Sequence, residues 1–380
     1  MGEINVLFCY AADFAGQEVD MSASVGYRCR IPAIGLKRAG HEASLMSLDA
    51  FVTQTSEVRE KCGKADLIVV QRSIWRDDVW ATVQKWQAQG VPVILEFDDA
   101  PQHTPMSVGG AAILWRQYHA IEGNRILAVP RRDVKSHREA GFKILPPAIK
   151  VFRERLPEMD AVTVPSEGLV ADWQRKAKRI YLLKNCYDSG NPNWRKKKGS
   201  LGGFVIGWMG SYSHFPSWEK TGLVKELQNI VRQYPQVKVM IFGDHRIAQK
   251  LGLPADKILH HKSQSFEEYP NVLRYFNVGL APLAGPYAKR KSDQKITIDY
   301  PLMRIPWIAS RFGPYKQSAG GFLVSESWQW GQRLRQLIED EALCKAKGEE
   351  GYQAAQERSI EVGIESYLQA YRKVIAEKRG

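Results

Sequence analysis

The sequence predicts an α/β fold of two doubly wound domains, and three observations lead to this fold class. Short apolar runs rich in Val and Ile recur along the chain, with stretches of helical periodicity between them. A polar, turn-rich segment interrupts this alternation, which then restarts. At 380 residues the chain is long enough for about two or three domains of ordinary size.

The first half of the chain predicts one Rossmann-like domain over residues 1–185. Helical spacing over Asp77–Gln89 ends before Gly90, a residue type that commonly terminates helices. Four apolar runs without polar alternation are typical of buried parallel strands: Ile4–Cys9, Leu67–Gln71, Val91–Phe97 and Ala161–Val164.

Residues 186–201 are polar and basic without periodicity, which predicts a linker, and a second Rossmann-like domain follows over residues 202–345. Its predicted strands are Phe204–Met209, Val237–Phe242, Val278–Ala281 and Trp307–Ser310. Helical stripes follow at Leu223, Leu227, Ile230 and Val231, at Trp330, Leu334, Leu337 and Ile338, and at Ile360, Ile364, Tyr367, Tyr371 and Val374. We expect the C-terminal helix, 346–380, to pack toward the N-terminal domain, and the two domains to face each other across a cleft.

The charge balance favours a polyanionic partner, because 54 basic residues oppose 41 acidic ones and leave a net charge of +13. The first residues form a strand-like run, so we expect no signal peptide, and no apolar run approaches the ~18 residues of a membrane span. No cysteine pair has CxxC spacing, so neither a zinc site nor a redox dithiol is indicated. We expect a reducing, cytoplasmic compartment.

The loop 207–214, GWMGSYSH, follows a predicted strand and precedes a helix. Gly210 would let the backbone approach a phosphate, and the helix N-terminus would add positive potential. His214 would contact the phosphate or cap the helix. A plain tight turn is the alternative, because the sequence is not a full GxGxxG.

The segment 282–300 is the second candidate loop, since a Gly/Pro turn leads into a basic cluster and a predicted helix. Lys291, Lys295 and Asp299 are spaced so that they would share one face of an α-helix. Two cations and a carboxylate suit a nucleoside diphosphate, with the lysines on phosphate and the carboxylate on ribose. A solvated face with Lys–Asp pairs gives the same spacing.

Taken in order, these segments resemble the GT-B glycosyltransferases, specifically glycosyltransferase family four and its spore-coat-like and phage subgroup. No single motif is diagnostic, but the order and spacing of the segments are. They are Tyr27-Arg28 with 40–42, 66–72, 96–99, 160–166, Lys184-Asn185, 206–214, Gly243, 277–283, 291–300 and 305–310.

The resemblance implies a nucleotide-sugar donor, UDP- or GDP-linked, held by the C-terminal domain, an acceptor held by the N-terminal domain, and no metal or other cofactor. It also implies retention of anomeric configuration. Family members carry two acids eight positions apart; here Asp299 matches the second, ribose-binding acid, but Lys291 replaces the first, sugar-binding acid. The implied donor-binding residues are Gly210, Ser211, His214, Gly243, Lys291, Ser292, Lys295 and Asp299.

Catalysis would depend on charge stabilisation at the departing diphosphate, by Lys295 and the Gly210 loop. Asp98 and Asp99 follow a predicted strand and could accept the proton of the acceptor hydroxyl in an inverting reaction, or orient the acceptor in a retaining one. A turn or helix cap is the alternative for this pair. No third ligand accompanies them in the sequence, so we predict no metal site.

The acceptor is predicted to be DNA containing a hydroxymethylated pyrimidine, because basic loops suit a phosphate backbone and phage DNA glucosyltransferases are GT-B enzymes. The predicted acceptor-binding residues are Arg28, Arg30, Arg72, Arg195, Lys196, Lys197 and Lys198. A surface polysaccharide or lipid-linked glycan is the competing acceptor. A non-catalytic nucleotide-sugar or nucleic-acid binder on the same scaffold is the alternative of another class.

Overall fold

A computed structural model of the chain describes residues 2–11, 22–103, 110–122, 125–316 and 318–380. The chain divides into two compact units, and each unit includes a segment distant from the rest of it in sequence. The first comprises Met1–Gln17, Leu36–Leu183 and Ser366–Gly380, and the second comprises Glu18–Gly35 and Lys184–Glu365. The domain boundaries predicted from the sequence, with domains at 1–185 and 202–345, a linker at 186–201 and a C-terminal helix at 346–380, stay a prediction.

The strands are β1 Asn5–Tyr10, β2 Glu42–Ser47, β3 Leu67–Gln71, β4 Val93–Glu96, β5 Tyr118–Glu122, β6 Arg125–Val129, β7 Lys143–Leu145, β8 Ala161–Val164, β9 Ile180–Leu182, β10 Phe204–Gly210, β11 Val237–Gly243, β12 Ile258–His261, β13 Val278–Ala281, β14 Trp307–Ser310 and β15 Gly321–Val324.

The α-helices are α1 Ala23–Val25, α2 Ile31–Arg38, α3 Leu48–Thr53, α4 Ser56–Lys64, α5 Asp77–Ala88, α6 Gly110–Arg116, α7 Val134–Glu139, α8 Ala148–Arg155, α9 Glu167–Trp173, α10 Phe215–Lys220, α11 Leu223–Gln233, α12 His245–Lys250, α13 Pro270–Leu273, α14 Gly285–Ala288, α15 Tyr300–Leu302, α16 Ser327–Glu339, α17 Glu341–Ala355 and α18 Ile360–Arg379. Two π-helical turns, Gly26–Arg30 and Lys295–Asp299, precede α2 and α15. The 3₁₀ turns are Pro101–His103, Arg131–Asp133, Leu156–Glu158, Pro192–Arg195, Tyr212–His214, Ala255–Lys257 and Gln356–Arg358.

The first unit is built on a six-stranded parallel sheet of order β2-β1-β3-β4-β8-β9. All residues of β3, β4 and β8 are buried, as expected for parallel strands covered on both faces. A separate antiparallel sheet of order β6-β5-β7 belongs to the same unit. The last part of α18 also belongs to it, and Tyr371 packs edge-on against Phe8 of β1.

The second unit contains a six-stranded parallel sheet of order β12-β11-β10-β13-β14-β15. Counted from β10, its strand order is 3-2-1-4-5-6, the order of a Rossmann sheet. Trp208 of β10 and Trp218 of α10 meet edge-to-face at 5.4 Å in the core. The apolar stripe of α11 joins that core and holds the helix against the sheet.

The structure confirms the predicted α/β class with two Rossmann-like sheets and C-terminal helices. The eight predicted strands correspond to β1, β3, β4, β8, β10, β11, β13 and β14. Within the described residues, no helix has both the length and the apolar character needed to cross a bilayer.

The prediction of one α-helical face carrying Lys291, Lys295 and Asp299 is wrong. Lys291 precedes the helical segment, and Lys295–Asp299 is a π-helical turn. Because Lys291 lies outside any helix, the spacing of the three residues does not place them on one helical face.

Candidate functional site

In the second unit, β10 and β13 are neighbours at which the order of the sheet reverses. The connections that follow these two strands leave the same edge, since the strands are parallel. In open α/β sheets, ligands bind at such a reversal, beyond the carboxyl ends of the strands. The two loops singled out in the sequence, 207–214 and 282–300, both leave this edge.

The backbones of β10 and β11 approach each other closely at Gly210 and Gly243. Gly210 has a φ of 155° and Gly243 a φ of 118°, conformations that residues with side chains rarely adopt. A Cβ atom at Gly243 would lie 2.4 Å from the carbonyl oxygen of Gly210, and one at Gly210 would lie 2.8 Å from the ring of Trp208. At the end of these two strands the backbone therefore carries no side chains at Gly210 and Gly243, and a turn begins there.

The turn continues through Ser211 and His214 into α10. The hydroxyls of Ser211 and Ser213 are 2.7 Å apart. His214 occupies the N-cap position, but its side chain does not cap the helix; its ring packs edge-on against Trp208 at 6.2 Å. α10, which follows, has six residues, and the phosphate contact predicted for this loop stays a prediction.

Lys295 lies beside the end of β10. Its ammonium group donates a hydrogen bond to the carbonyl oxygen of Met209 and lies 5.3 Å from the ring centroid of Trp208. Burial of the ammonium group lowers the pKa of Lys295 to about 8, and the nearby Lys291 acts in the same direction. The carboxylate of Asp299 opposes this shift. The half-buried side chain is therefore a partly desolvated cation at the edge of the sheet.

Asp299 is buried, with 2% of its surface exposed, and two tyrosine hydroxyls hold its carboxylate. Oδ1 accepts hydrogen bonds from the hydroxyl of Tyr27 at 2.5 Å and from that of Tyr269 at 3.0 Å. The two hydroxyls are themselves 2.7 Å apart. Burial raises the pKa of Asp299, whereas the tyrosines and Lys295 act in the opposite direction. Because only 2% of Asp299 is exposed, little of its surface is accessible for the predicted contact with ribose.

Aromatic packing fixes the position of Tyr27. Its ring meets Phe266 edge-to-face at 4.9 Å, and Phe266 lies flat against Gly26, where a Cβ atom would overlap the ring at 2.4 Å. Tyr269 in turn packs against Trp194 at 5.4 Å. Trp194, next to the basic run of the predicted linker, is thus buried.

Asn185 connects the segments around Ser292. Its side chain donates to Gln294 at 3.0 Å and accepts from Arg28 at 2.8 Å, and Ser292 also donates to Gln294. Arg28 is only 1% exposed, so its burial argues against the predicted contact with an acceptor. Arg358, which the sequence analysis did not single out, joins this network. Its guanidinium donates to the backbone carbonyl oxygen of Asn185 at 2.8 Å and makes two 3.0 Å hydrogen bonds to Asp293.

The predicted catalytic acids and the other predicted acceptor-binding residues are divided between the two units. Asp98 and Asp99 are half-buried directly after β4 of the first unit. Arg72 follows the adjacent β3, with a φ of 42° and its amide 2.8 Å from the carbonyl oxygen of Glu96. Asp98, Asp99 and Arg72 therefore share one sheet edge. In the second unit, Arg30 is half-buried, whereas residues 195–198 are exposed.

Tyr27, Tyr269 and Arg358 are the residues of this site that sequence reasoning missed. Tyr27 appeared only as part of the family resemblance, because none of the three belongs to a local motif. Among the described residues, no group of three His, Cys, Asp or Glu side chains is placed to hold a metal ion.

No protein-family model and no curated protein matches this sequence. In fold, the chain is similar to GT-B glycosyltransferases of solved structure. An α-glucosyltransferase in complex with UDP and a 13-mer DNA containing a HMU base aligns over 99% of this chain and 100% of its own, with a TM-score of 0.59 and 10% identity. Trehalose-6-phosphate synthase OtsA aligns over 98% and 99%, with a TM-score of 0.55 and 10% identity.

A point mutant of S. aureus TarM, in complex with fondaparinux, α-GlcNAc-glycerol and UDP, aligns over 80% of this chain with a TM-score of 0.51 and 12% identity. The present chain spans 55% of TarM. At these identities the similarities show the fold, which is that of GT-B proteins with two Rossmann-like α/β units.

Proposed function

We propose that this chain is a nucleotide-sugar-dependent glycosyltransferase related to family four, which retains anomeric configuration and needs no metal. The observation that carries the proposal is the position of Lys295. The structure brings this partly desolvated cation to the carbonyl oxygen of Met209, beside the Gly210 turn and at the reversal point of a Rossmann sheet. A cation beside bare backbone at that edge suits a diphosphate.

In the proposed reaction, the bond between the anomeric carbon and the diphosphate oxygen breaks, and the bonding electrons leave with the diphosphate. Lys295 and the backbone at Gly210 stabilise the charge that develops there. The acceptor oxygen bonds to the anomeric carbon, and its proton passes to an oxygen of the departing diphosphate. With a pKa of about 8, Lys295 is mainly protonated near pH 7.

We propose that Gly210, Ser211, His214 and Gly243 surround the donor diphosphate, with Lys291 and Ser292 on the second loop. We propose a different role for Asp299, because it is buried between two tyrosine hydroxyls. It acts through Lys295, whose pKa its carboxylate raises. This makes Asp299 a positioning residue instead of a ribose ligand.

We propose DNA with a hydroxymethylated pyrimidine as the acceptor. Three observations favour it: the net charge of +13, the exposure of residues 195–198, and the similarity in fold to a glucosyltransferase bound to DNA. In this retaining reaction Asp98 and Asp99 would orient the acceptor hydroxyl, with Arg72 at the same sheet edge.

The test is one reaction of the full chain with UDP- and GDP-sugars and duplex DNA containing 5-hydroxymethylcytosine or 5-hydroxymethyluracil. Released diphosphate and the masses of the digested nucleosides are both measured. We expect a sugar-sized mass increase on the modified base. The matched control is the same duplex without the hydroxymethyl group, which should gain no mass.

A glycan acceptor is the second candidate, favoured by the similarity in fold to TarM bound to α-GlcNAc-glycerol. Diphosphate release that depends on an added glycan and leaves DNA unmodified would replace the DNA acceptor with this one. Binding of UDP or GDP without any release from a sugar nucleotide would overturn the enzyme proposal and favour a non-catalytic binder.

A further inference from the structure

The first unit contains a concave cationic site remote in sequence from the residues discussed above. A cavity of about 510 Å³ is lined by residues of the segment 116–150, namely Arg116, Gln117, Tyr118, Pro130, Arg131, Pro147 and Lys150. Three of these seven residues carry a positive charge and none is acidic. The volume lies within the range of roughly 300–1,000 Å³ that is typical of ligand sites.

The three cations come from separate elements. Arg116 ends α6, Arg131 begins a 3₁₀ turn and Lys150 lies in the first turn of α8. Pro130 and Pro147 immediately precede the last two elements, and the fixed φ of proline restricts the backbone there. All three cations are exposed, so water screens their mutual repulsion and they are accessible to an anionic ligand.

The sequence around the cavity concentrates positive charge. Residues 116–155 contain ten Lys and Arg against four Asp and Glu, so about a tenth of the chain carries six of its thirteen net charges. The acids of this segment whose side chains are described each lie close to one of its cations: Asp133 is 3.6 Å from Arg132, Glu139 is 3.8 Å from Lys135 and Glu154 is 4.0 Å from Lys150. All three pairs are solvent-exposed, and such pairs are weak.

We propose that this cavity binds backbone phosphates of the nucleic-acid acceptor. The proposal rests on the DNA acceptor proposed above and adds a binding site to it. The guanidinium groups of Arg116 and Arg131 can each bind a phosphate through two parallel hydrogen bonds, and Lys150 adds a point charge. Tyr118 gives the cavity an aromatic wall on which a base or a sugar can pack.

The test is binding of a fluorescein-labelled duplex containing 5-hydroxymethylcytosine by the full chain, followed by anisotropy at several KCl concentrations without donor. Each phosphate contact contributes about 0.9 to the slope of log K against log salt concentration. We expect Arg116→Ser and Arg131→Ser each to reduce the slope by about one, and the double variant to reduce it by about two.

Three controls separate the site from general surface charge and from misfolding. Arg132→Ser and Lys135→Ser remove exposed cations of the same segment outside the cavity, and should leave the slope close to that of the wild type. Arg131→Lys keeps the charge and should keep the slope while weakening the affinity. Thermal melts of all variants identify any that fail to fold.

Equal slopes for the cavity variants and the two exposed controls would overturn the site. If the wild type still modifies DNA in that case, the DNA acceptor stands and only the cavity is excluded. If the wild type releases no diphosphate from any donor but the cavity variants lower the slope, the site stands and the enzyme proposal fails. Binding to phosphatidylglycerol vesicles without binding to DNA would overturn the nucleic-acid assignment.

Discussion

Tyr27 donates a 2.5 Å hydrogen bond to Asp299, 272 positions further along the chain. Each residue belongs to a π-helical turn, and both turns lie in the second unit. Insertions of this kind are rare and occur frequently at functional sites. Here they place a buried carboxylate next to Lys295, the residue on which the proposed chemistry depends.

Replacing Lys295 by Ala should remove most of the transferase activity. Deleting one group that stabilises developing negative charge typically lowers kcat by about 10²–10³-fold. Steady-state diphosphate release measures the effect. Lys289→Ala is the matched control, because Lys289 is exposed in the same segment and should retain the wild-type rate. A rate near that of the wild type for Lys295→Ala would contradict the placement of the diphosphate.

The pH dependence of kcat/KM for the donor should contain a titration near pH 8. The charged form of Lys295 is required, and it predominates below its pKa of about 8; activity is therefore present below that pH and is lost above it. In Asp299→Asn the midpoint should move to lower pH, since the carboxylate raises the pKa of Lys295. A midpoint that stays in place or rises in this variant would exclude the proposed coupling.

Tyr27→Phe should destabilise the protein by about 1–3 kcal/mol, because a buried carboxylate loses one of its two tyrosine donors. Urea unfolding at neutral pH measures the change. Tyr275→Phe, at a half-buried tyrosine outside the cluster, is the control and should cost less. Equal stability of the two variants would show that the hydrogen bond to Asp299 contributes nothing measurable.

Gly243→Ala should be more damaging than Gly40→Ala, although both glycines have positive φ. A Cβ atom at Gly40 would meet only open space, whereas at Gly243 it would lie 2.4 Å from the carbonyl oxygen of Gly210. We expect an additional loss of about 1–3 kcal/mol, together with weaker binding of UDP by calorimetry. If the two variants melt alike and Gly243→Ala binds UDP normally, the close approach of the strands is unimportant.

Changing Arg195, Lys196, Lys197 and Lys198 together to Ala should lower DNA affinity and flatten its salt dependence. All four residues are exposed, so the substitutions remove charge without opening the core. Arg195→Lys, which preserves the charge, should keep the slope. A quadruple variant with the wild-type slope would show that this run does not contact the DNA backbone.

Local patterning predicted the interior strands of both parallel sheets and none of their edge strands. β2 and β9 flank the first sheet, and β12 and β15 flank the second. Interior strands are buried on both faces and appear as continuous apolar runs. Edge strands are partly exposed: β2 and β12 mix polar and apolar residues and give no such run, whereas β9 and β15 are short apolar runs that the sequence analysis did not single out.

The sequence by itself determined the α/β class, the central strands, the buried stripes of the helices, and the loops that carry Gly210 and Lys295. These features follow from burial and periodicity, which appear as local patterns of apolar residues in the sequence. Only the tertiary structure decided that Asp299 and Arg28 are buried, that Lys295 meets the carbonyl oxygen of Met209, and that three cations surround one cavity. Such contacts join residues far apart in sequence, and the order of strands in a sheet, which no local pattern encodes, brings them together.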